Sequence, residues 1–169
     1  MKIPNKPVVC ISKCLGFEAC RYDGTMLKSK AVDSIMPFID ARPVCPELAI
    51  GLGVPRPVIR IIKEGERLRL FQPETGLDLT NRMENFVENF LSSIQDEVNG
   101  WILKARSPSC GLFDTKVFAS LHEDAKVVGK GPGFLGKGVL AAFPDLAVNE
   151  ELLEDPLISN AFLEKLLRV

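Results

Sequence analysis

At 169 residues and 18.6 kDa the chain fits one domain with a sizeable core, and its 46% hydrophobic and 25% charged residues are those of an ordinary globular protein. A formal net charge of −1 supplies no general pull toward nucleic acid or anionic lipid, and no apolar run approaches the ~18 residues of a membrane span. Met1 to Lys6 lack the apolar core of a signal peptide, and five cysteines without paired spacing suit reduced thiols or metal ligands better than a disulfide framework. The expectation is one domain over residues 1–169, cytoplasmic, with neither nucleic acid nor membrane as partner; oligomeric state is left open.

Pro7 to Ser12 is short, apolar and β-branched, and predicts a buried first strand closed by Ser12-Lys13-Cys14. A loop through Cys20-Arg21-Tyr22-Asp23-Gly24 ends in a turn signal. A helix is expected from Leu27 to Phe38, with Leu27, Ala31, Ile35 and Phe38 on one face. A second strand then leads to Arg42-Pro43-Val44-Cys45-Pro46-Glu47, which presents a thiol and a carboxylate two residues apart. The prolines stiffen this segment and bias it away from helix.

Leu48 to Pro57 is rich in glycine and proline and predicts an ordered loop, with Gly51 to Pro57 expected to line the entrance of a pocket; its G-x-G lacks the rest of a dinucleotide fingerprint. Val58–Ile62 and Arg67–Leu70 flank Glu64-Gly65-Glu66 as a hairpin with its arginines outside. The clearest element is a helix from Arg82 to Val98. Met83, Phe86, Val87, Phe90, Leu91, Ile94 and Val98 form one stripe that reads as core, and Asn81 with Glu84 offers a capping box. Gly100 is read as its stop, followed by a strand over Trp101–Lys104 that leads into Ala105-Arg106-Ser107-Pro108-Ser109-Cys110-Gly111. A short helix is expected over Phe134–Phe143 and a last one over Leu157–Leu167, capped by Asp155-Pro156. Strand and helix in alternation predict an α/β single-domain layered fold with a largely parallel central sheet flanked by helices.

Ligands of such sheets bind outside the carboxyl ends of the strands. Cys14, Cys45 and Cys110 each follow a predicted strand, so the fold itself would gather three thiols. Soft sulfur ligands favour zinc or an iron–sulfur cluster. Structural zinc takes four ligands, usually in close pairs, and none are paired here; the single histidine, His122, lies in a charged, solvated run. A four-iron cluster held by three cysteines would leave one iron open to act as a Lewis acid. Burial alone also accounts for each thiol separately, as it does for Cys10 inside its strand.

Ser12-x-Cys14-Leu15, Cys20-Arg21-Tyr22-Asp23-Gly24, Pro43-Val44-Cys45-Pro46-Glu47, Pro55-Arg56-Pro57 and Arg106-Ser107-Pro108-Ser109-Cys110-Gly111 together resemble the thiouracil desulfidase (TudS-like) family. The resemblance runs from about Val8 to the end of the chain. It implies an α/β domain with a [4Fe-4S] cluster on Cys14, Cys45 and Cys110, Cys20 being the reserve ligand. Its fourth iron would be free to take sulfur from a small thiolated pyrimidine. It further implies Glu47 as acid/base, Ser107 as a hydroxyl beside substrate or cluster, and Arg56 and Ser109 as substrate-binding groups. Lys13 stands where members often carry a small residue and Ala105 where serine is common, positions that bear on substrate preference. The expected reaction is desulfuration without net redox change, giving the carbonyl base and sulfide. A non-catalytic iron–sulfur or metal-binding module that senses or stores sulfide is the rival reading. Scattered arginines (Arg21, Arg56, Arg60 and Arg106) would suit a nucleotide phosphate.

Overall fold

The computed structural model describes residues 5–168; most of the Met1–Lys6 segment read above for a signal peptide lies outside them. Two sheets organise the chain. The first is wholly parallel, in the order β2-β1-β6-β9, from Asp40–Val44, Val8–Ser12, Gly100–Leu103 and Ala147–Asn149. The second is mixed, in the order β5-β4-β3-β7-β8, from Leu77–Asp78, Arg67–Gln72, Arg60–Glu64, Thr115–Phe118 and Val127–Gly131. The predicted hairpin is β3–β4, pairing Glu64 with Arg67 across the turn at Gly65.

Alternation along the buried strands divides the core between the two faces of the parallel sheet. Val9 and Ile11 of β1 and Ile102 of β6 point toward α1 (Lys30–Ile35) and α5 (Pro156–Leu167), where Val32, Ile35, Phe162 and Leu166 meet them. Cys10, Trp101 and Leu103 point the other way, onto α3 (Thr80–Ile94) and α4 (Phe134–Ala142). Trp101 is fully buried, edge-on to Phe90 and tilted against Phe143. Truncating such a side chain costs roughly 3–5 kcal/mol. The stripe predicted on α3 faces both sheets: Phe86 and Val87 join the core under the parallel sheet and also the one formed by Ile61, Leu70, Met83 and Val117. Helix α3 is thus the wall the two sheets share.

Local departures from the sequence expectations have physical causes. Helix α1 occupies Lys30–Ile35, with Ser29 accepting the Val32 N–H and a 3₁₀ turn, Met36–Phe38, at its end; Phe38 is left on the surface while Leu27 still packs on the core. Helix α3 starts at Thr80 without the Asn81–Glu84 box. Asp78 accepts from both the N–H and the hydroxyl of Thr80, and the same hydroxyl accepts the Leu70 N–H at 2.9 Å, so β4 fixes where the helix begins. That helix ends at Ile94, short of Gly100. Gly100 opens β6 beneath Leu166, whose side chain a β-carbon there would strike. At α5 the predicted cap is found: Asp155 accepts the Leu157 N–H and Pro156 takes the first turn.

Candidate active site

All strands of the first sheet run in one direction, so Ser12, Val44, Leu103 and Asn149 end along one edge. Side chains bind that edge together. The Lys104 N–H donates to Ser12 Oγ at 2.9 Å, and buried Asn149 donates to the Leu103 carbonyl at 2.8 Å while accepting the Leu112 N–H. The three cysteine segments leave from here. Cys14 follows β1 in a turn whose carbonyl accepts the Leu27 N–H. Cys45 leaves β2 in extended backbone and becomes the N-cap of a one-turn helix, α2 (Pro46–Ala49), with Pro46 at its first position. Proline suits that position because its missing N–H is not needed there. Glu47 therefore stands on a helical turn, not on a continuing strand.

Beyond β6 the chain turns sharply at Arg106, a non-glycine residue at φ 61°, in the sparsely populated left-handed region. Glu151 clamps its guanidinium with two hydrogen bonds, 2.6 and 2.5 Å. Ser107 then organises the loop: its hydroxyl accepts the N–H groups of Ser109 (3.2 Å) and Cys110 (3.0 Å). Short hydroxyl-to-backbone bonds of this kind compete well with regular structure in turns.

These segments enclose a cavity of ≈ 230 Å³. Cys14, Cys45, Cys110, Glu47, Arg56, Ser107 and Ser109, the residues singled out in the sequence, all line it, and so does Cys20. Cys10 lies apart in the core with Trp101 and Leu135. All five cysteines are free thiols. Burial pushes the Cys14 thiol up to about 11, with Cys45 adding to the rise and Lys104 and Arg21 opposing it. Burial, then Cys45 and Cys14, pushes Cys20 up to about 12. Cys110 also rises to about 12 through burial, against hydrogen bonds from Ser12 and Ser109. The mutual influence of these thiols reflects their convergence on one space.

Glu47 is held from two sides. Arg56 Nε donates to Glu47 Oε2 at 2.6 Å, in a pair whose side chains are only 5% and 12% exposed, and Ser109 Oγ donates to Oε1 at 3.3 Å. Arg56 lies at the cavity as the Gly/Pro loop predicted. Its other nitrogens are engaged too, Nη1 with the Gly53 carbonyl (3.1 Å) and Nη2 with the Cys20 carbonyl (2.9 Å). Among the other arginines noted, Arg21 and Arg106 line the cavity; Arg60 lies over Phe118 in the second sheet.

Two lining residues were missed in the sequence. Lys104 Nζ lies 3.1 Å from Glu150 Oε1 in a largely buried pair, and Glu150 Oε2 accepts the Ala105 N–H at 2.6 Å. Tyr22 stands 42% exposed at the mouth beside Arg21, its carbonyl bonded to the Arg56 N–H. Lys104 reads as the end of a strand, and no local signal announces a partner 46 positions away; the tyrosine lies inside a quoted motif but carries no spacing that points to the cavity.

The 2-thiouracil desulfurase family model matches residues 9–151, which carry every one of these cavity residues. The chain belongs to the 2-thiouracil desulfurase family. Among members and neighbours, YbbK of Bacillus subtilis (strain 168), described as an uncharacterized protein, is 28% identical over 130 residues, 73% of this chain and 85% of that protein. A solved structure described as the [4Fe-4S]-dependent thiouracil desulfidase TudS superposes with a TM-score of 0.67 at 27% identity, covering 92% of this chain and 97% of the other. The expected α/β class is thereby the observed one.

The donor set of the cavity is rich in thiols, the soft ligands that iron–sulfur clusters take. Among the described residues no three His, Cys, Asp or Glu side chains stand where one metal ion would bind. A mononuclear site needs its ligands around a single point at ~2.3 Å for sulfur, whereas an iron–sulfur cluster takes each thiolate on a separate iron. Cys14, Cys20, Cys45 and Cys110 line one cavity and are of the second kind in ligand chemistry. Among the described residues no helix is long and apolar enough to cross a membrane.

Proposed function

We propose that this family member is an iron–sulfur-dependent desulfidase acting on a small thiolated pyrimidine. Water replaces sulfur at the thiocarbonyl carbon, giving the carbonyl base and sulfide with no net change of oxidation state. The observation that carries the reading is the shared cavity, where a clamped carboxylate and two serine hydroxyls face the same space as the thiols of Cys14, Cys45 and Cys110. Those three cysteines would hold a [4Fe-4S] cluster, with Cys20 in reserve. Bound there, the cluster would supply a Lewis-acidic iron with affinity for sulfur.

The chain's own groups do the rest. Glu47 Oε1 accepts a proton from the water that attacks the thiocarbonyl carbon, while Arg56 retains Oε2. Ser109, bonded to Oε1, and Ser107, 3.1 Å from Ser109, hold the water or the ring polar atoms in line. The proton taken up by Glu47 passes to the departing sulfur. The loop after Glu47 brings Arg56 to the cavity and is anchored by the Leu52 N–H on the Glu47 carbonyl.

The test is anaerobic loading with iron and sulfide, then incubation with thiouracil. Loss of thiocarbonyl absorbance should match released sulfide mole for mole. A fully loaded protein that consumes no thiouracil and releases no sulfide overturns the enzymatic reading and leaves sulfide sensing or storage.

A further inference from the structure

We infer that Arg56 acts through Glu47, as the residue that positions the carboxylate, and not as a ligand for substrate. The inference rests on the reading of Glu47 as the base. Three features of the structure carry it.

The first is that the guanidinium is already committed. Nε, Nη1 and Nη2 each reach a protein acceptor: Glu47 Oε2, the Gly53 carbonyl and the Cys20 carbonyl. One N–H on each Nη is left over, but the side chain is only 5% exposed, which leaves a substrate oxygen or phosphate little room to reach it. The second is rigidity. A guanidinium is a planar fork with donors in fixed directions, so engaging three acceptors at once fixes the fork and with it the position of Glu47 Oε2. Pro55 and Pro57 flank Arg56, and its own N–H holds the Tyr22 carbonyl at 2.9 Å, which restrains the backbone beneath the fork. The third is the division of the carboxylate. Arg56 takes Oε2, and Oε1 is left on the Ser109 side, where the reacting water is placed.

Arg56 thus joins two separate parts of the chain: the stretch from α2 with Glu47 through the Gly51–Pro57 loop, and the loop bearing Cys20 and Tyr22. A lysine at this position would keep the charge but offer a point-like ammonium on a flexible stem, able to pair with Glu47 without fixing where Oε2 sits.

The test is a double-mutant cycle on the cluster-loaded enzyme with R56Q, R56K, E47Q and E47Q/R56Q, together with equilibrium binding of the product uracil. R56Q should lose about 10²-fold in kcat, the scale of an ångström-sized misplacement, with KM nearly unchanged. R56K should recover part of that loss. The double variant should be no slower than E47Q alone, because a positioning residue has nothing left to position. Uracil should bind R56Q as it binds the parent, a readout independent of turnover. Losses that multiply in the double variant, or uracil binding that weakens with the R56Q substitution, overturn the inference and make Arg56 a substrate ligand. Cluster absorbance lost in both R56Q and R56K also overturns it, since the arginine would then serve the Cys20 loop. Failure of the base reading shows differently: E47Q alone would run at the parental rate.

Discussion

Gly136 on α4 lies against the carbonyl of Gly111, so close that a β-carbon on Gly136 would overlap that oxygen. The contact belongs to a larger arrangement. The first amides of α4 have no partners inside their own helix, and they donate instead to the loop that carries the site: Phe134 to the Pro108 carbonyl, Leu135 and Gly136 to the Ser109 carbonyl. The helix start thus holds the Pro108–Ser109 backbone, between Ser107 and Cys110, in place, with the side chains left to face the cavity. Glycine is there because anything larger would push the loop away.

Gly136→Ala is therefore expected to destabilise the protein by about 1–3 kcal/mol, the cost of overpacking. In an open helix site the same change stabilises by roughly 0.5–1 kcal/mol, so the sign of the shift in thermal midpoint decides. Gly129→Ala, where a β-carbon meets nothing within 4 Å, is the control and should change little.

The ligand assignment predicts a pattern among the cysteines. Ser in place of Cys14, Cys45 or Cys110 should abolish the visible absorbance of the loaded protein, and Cys20→Ser should retain it. Retention in Cys14→Ser with loss in Cys20→Ser would transfer the ligand role to Cys20, which lines the same cavity. Cys10→Ser should keep the cluster and cost stability, because it places a hydroxyl in the core.

Separating ligand from base needs a different substitution. Glu47→Gln should keep the cluster absorbance and lose ~10²–10⁴-fold in kcat, the usual contribution of a positioned general base. A parental rate in this variant assigns the proton transfer to another group.

Alkaline pH should weaken the apoprotein in a defined window. Burial pushes the Cys10 thiol from 9.0 up to about 12, with Arg42 opposing. Below pH 9 both folded and unfolded chains keep this proton. Between pH 9 and about 12 the unfolded chain releases it and the folded chain does not, so stability falls as pH rises, by about 1.4 kcal/mol per pH unit for one thiol. Urea unfolding followed from pH 8 to 10.5 checks this: Cys10→Ala should start from lower stability and show a shallower alkaline slope. Parallel slopes would mean that Cys10 titrates alike in both states.

Much of this protein is written locally. The β-branched run before Ser12, the apolar stripe from Met83 to Ile94 and the Asp155-Pro156 cap each specify an element through neighbours a few residues away, and each is found in place. The parallel order follows from alternation, and with it the gathering of the segments that bear Cys14, Cys45 and Cys110 at one edge. Other features depend on partners the chain brings from afar. Where α3 begins is set by Leu70 in a neighbouring strand, and Gly100 is a glycine because Leu166 covers it, not because a helix must stop. The second sheet pairs β3 with β7 across more than fifty residues, a separation that hydropathy patterns do not encode.

The same divide runs through the site. Residue types and strand ends mark Cys45 and Glu47 as a thiol and a carboxylate at a sheet edge, since both lie in one stiff hexapeptide. What each side chain does there is decided by the fold. Arg56 reads in sequence as a free cation in a glycine- and proline-rich loop; folded, it spends its fork on Glu47, Gly53 and Cys20, the last of them 36 positions away. Ser109 reaches Glu47 across 62 positions, and Lys104 finds Glu150 only when β6 and β9 lie side by side. Periodicity and turn chemistry act over a few residues, so they place groups on an edge. Hydrogen-bond direction acts over a few ångströms, and only the closed chain brings those donors and acceptors within reach.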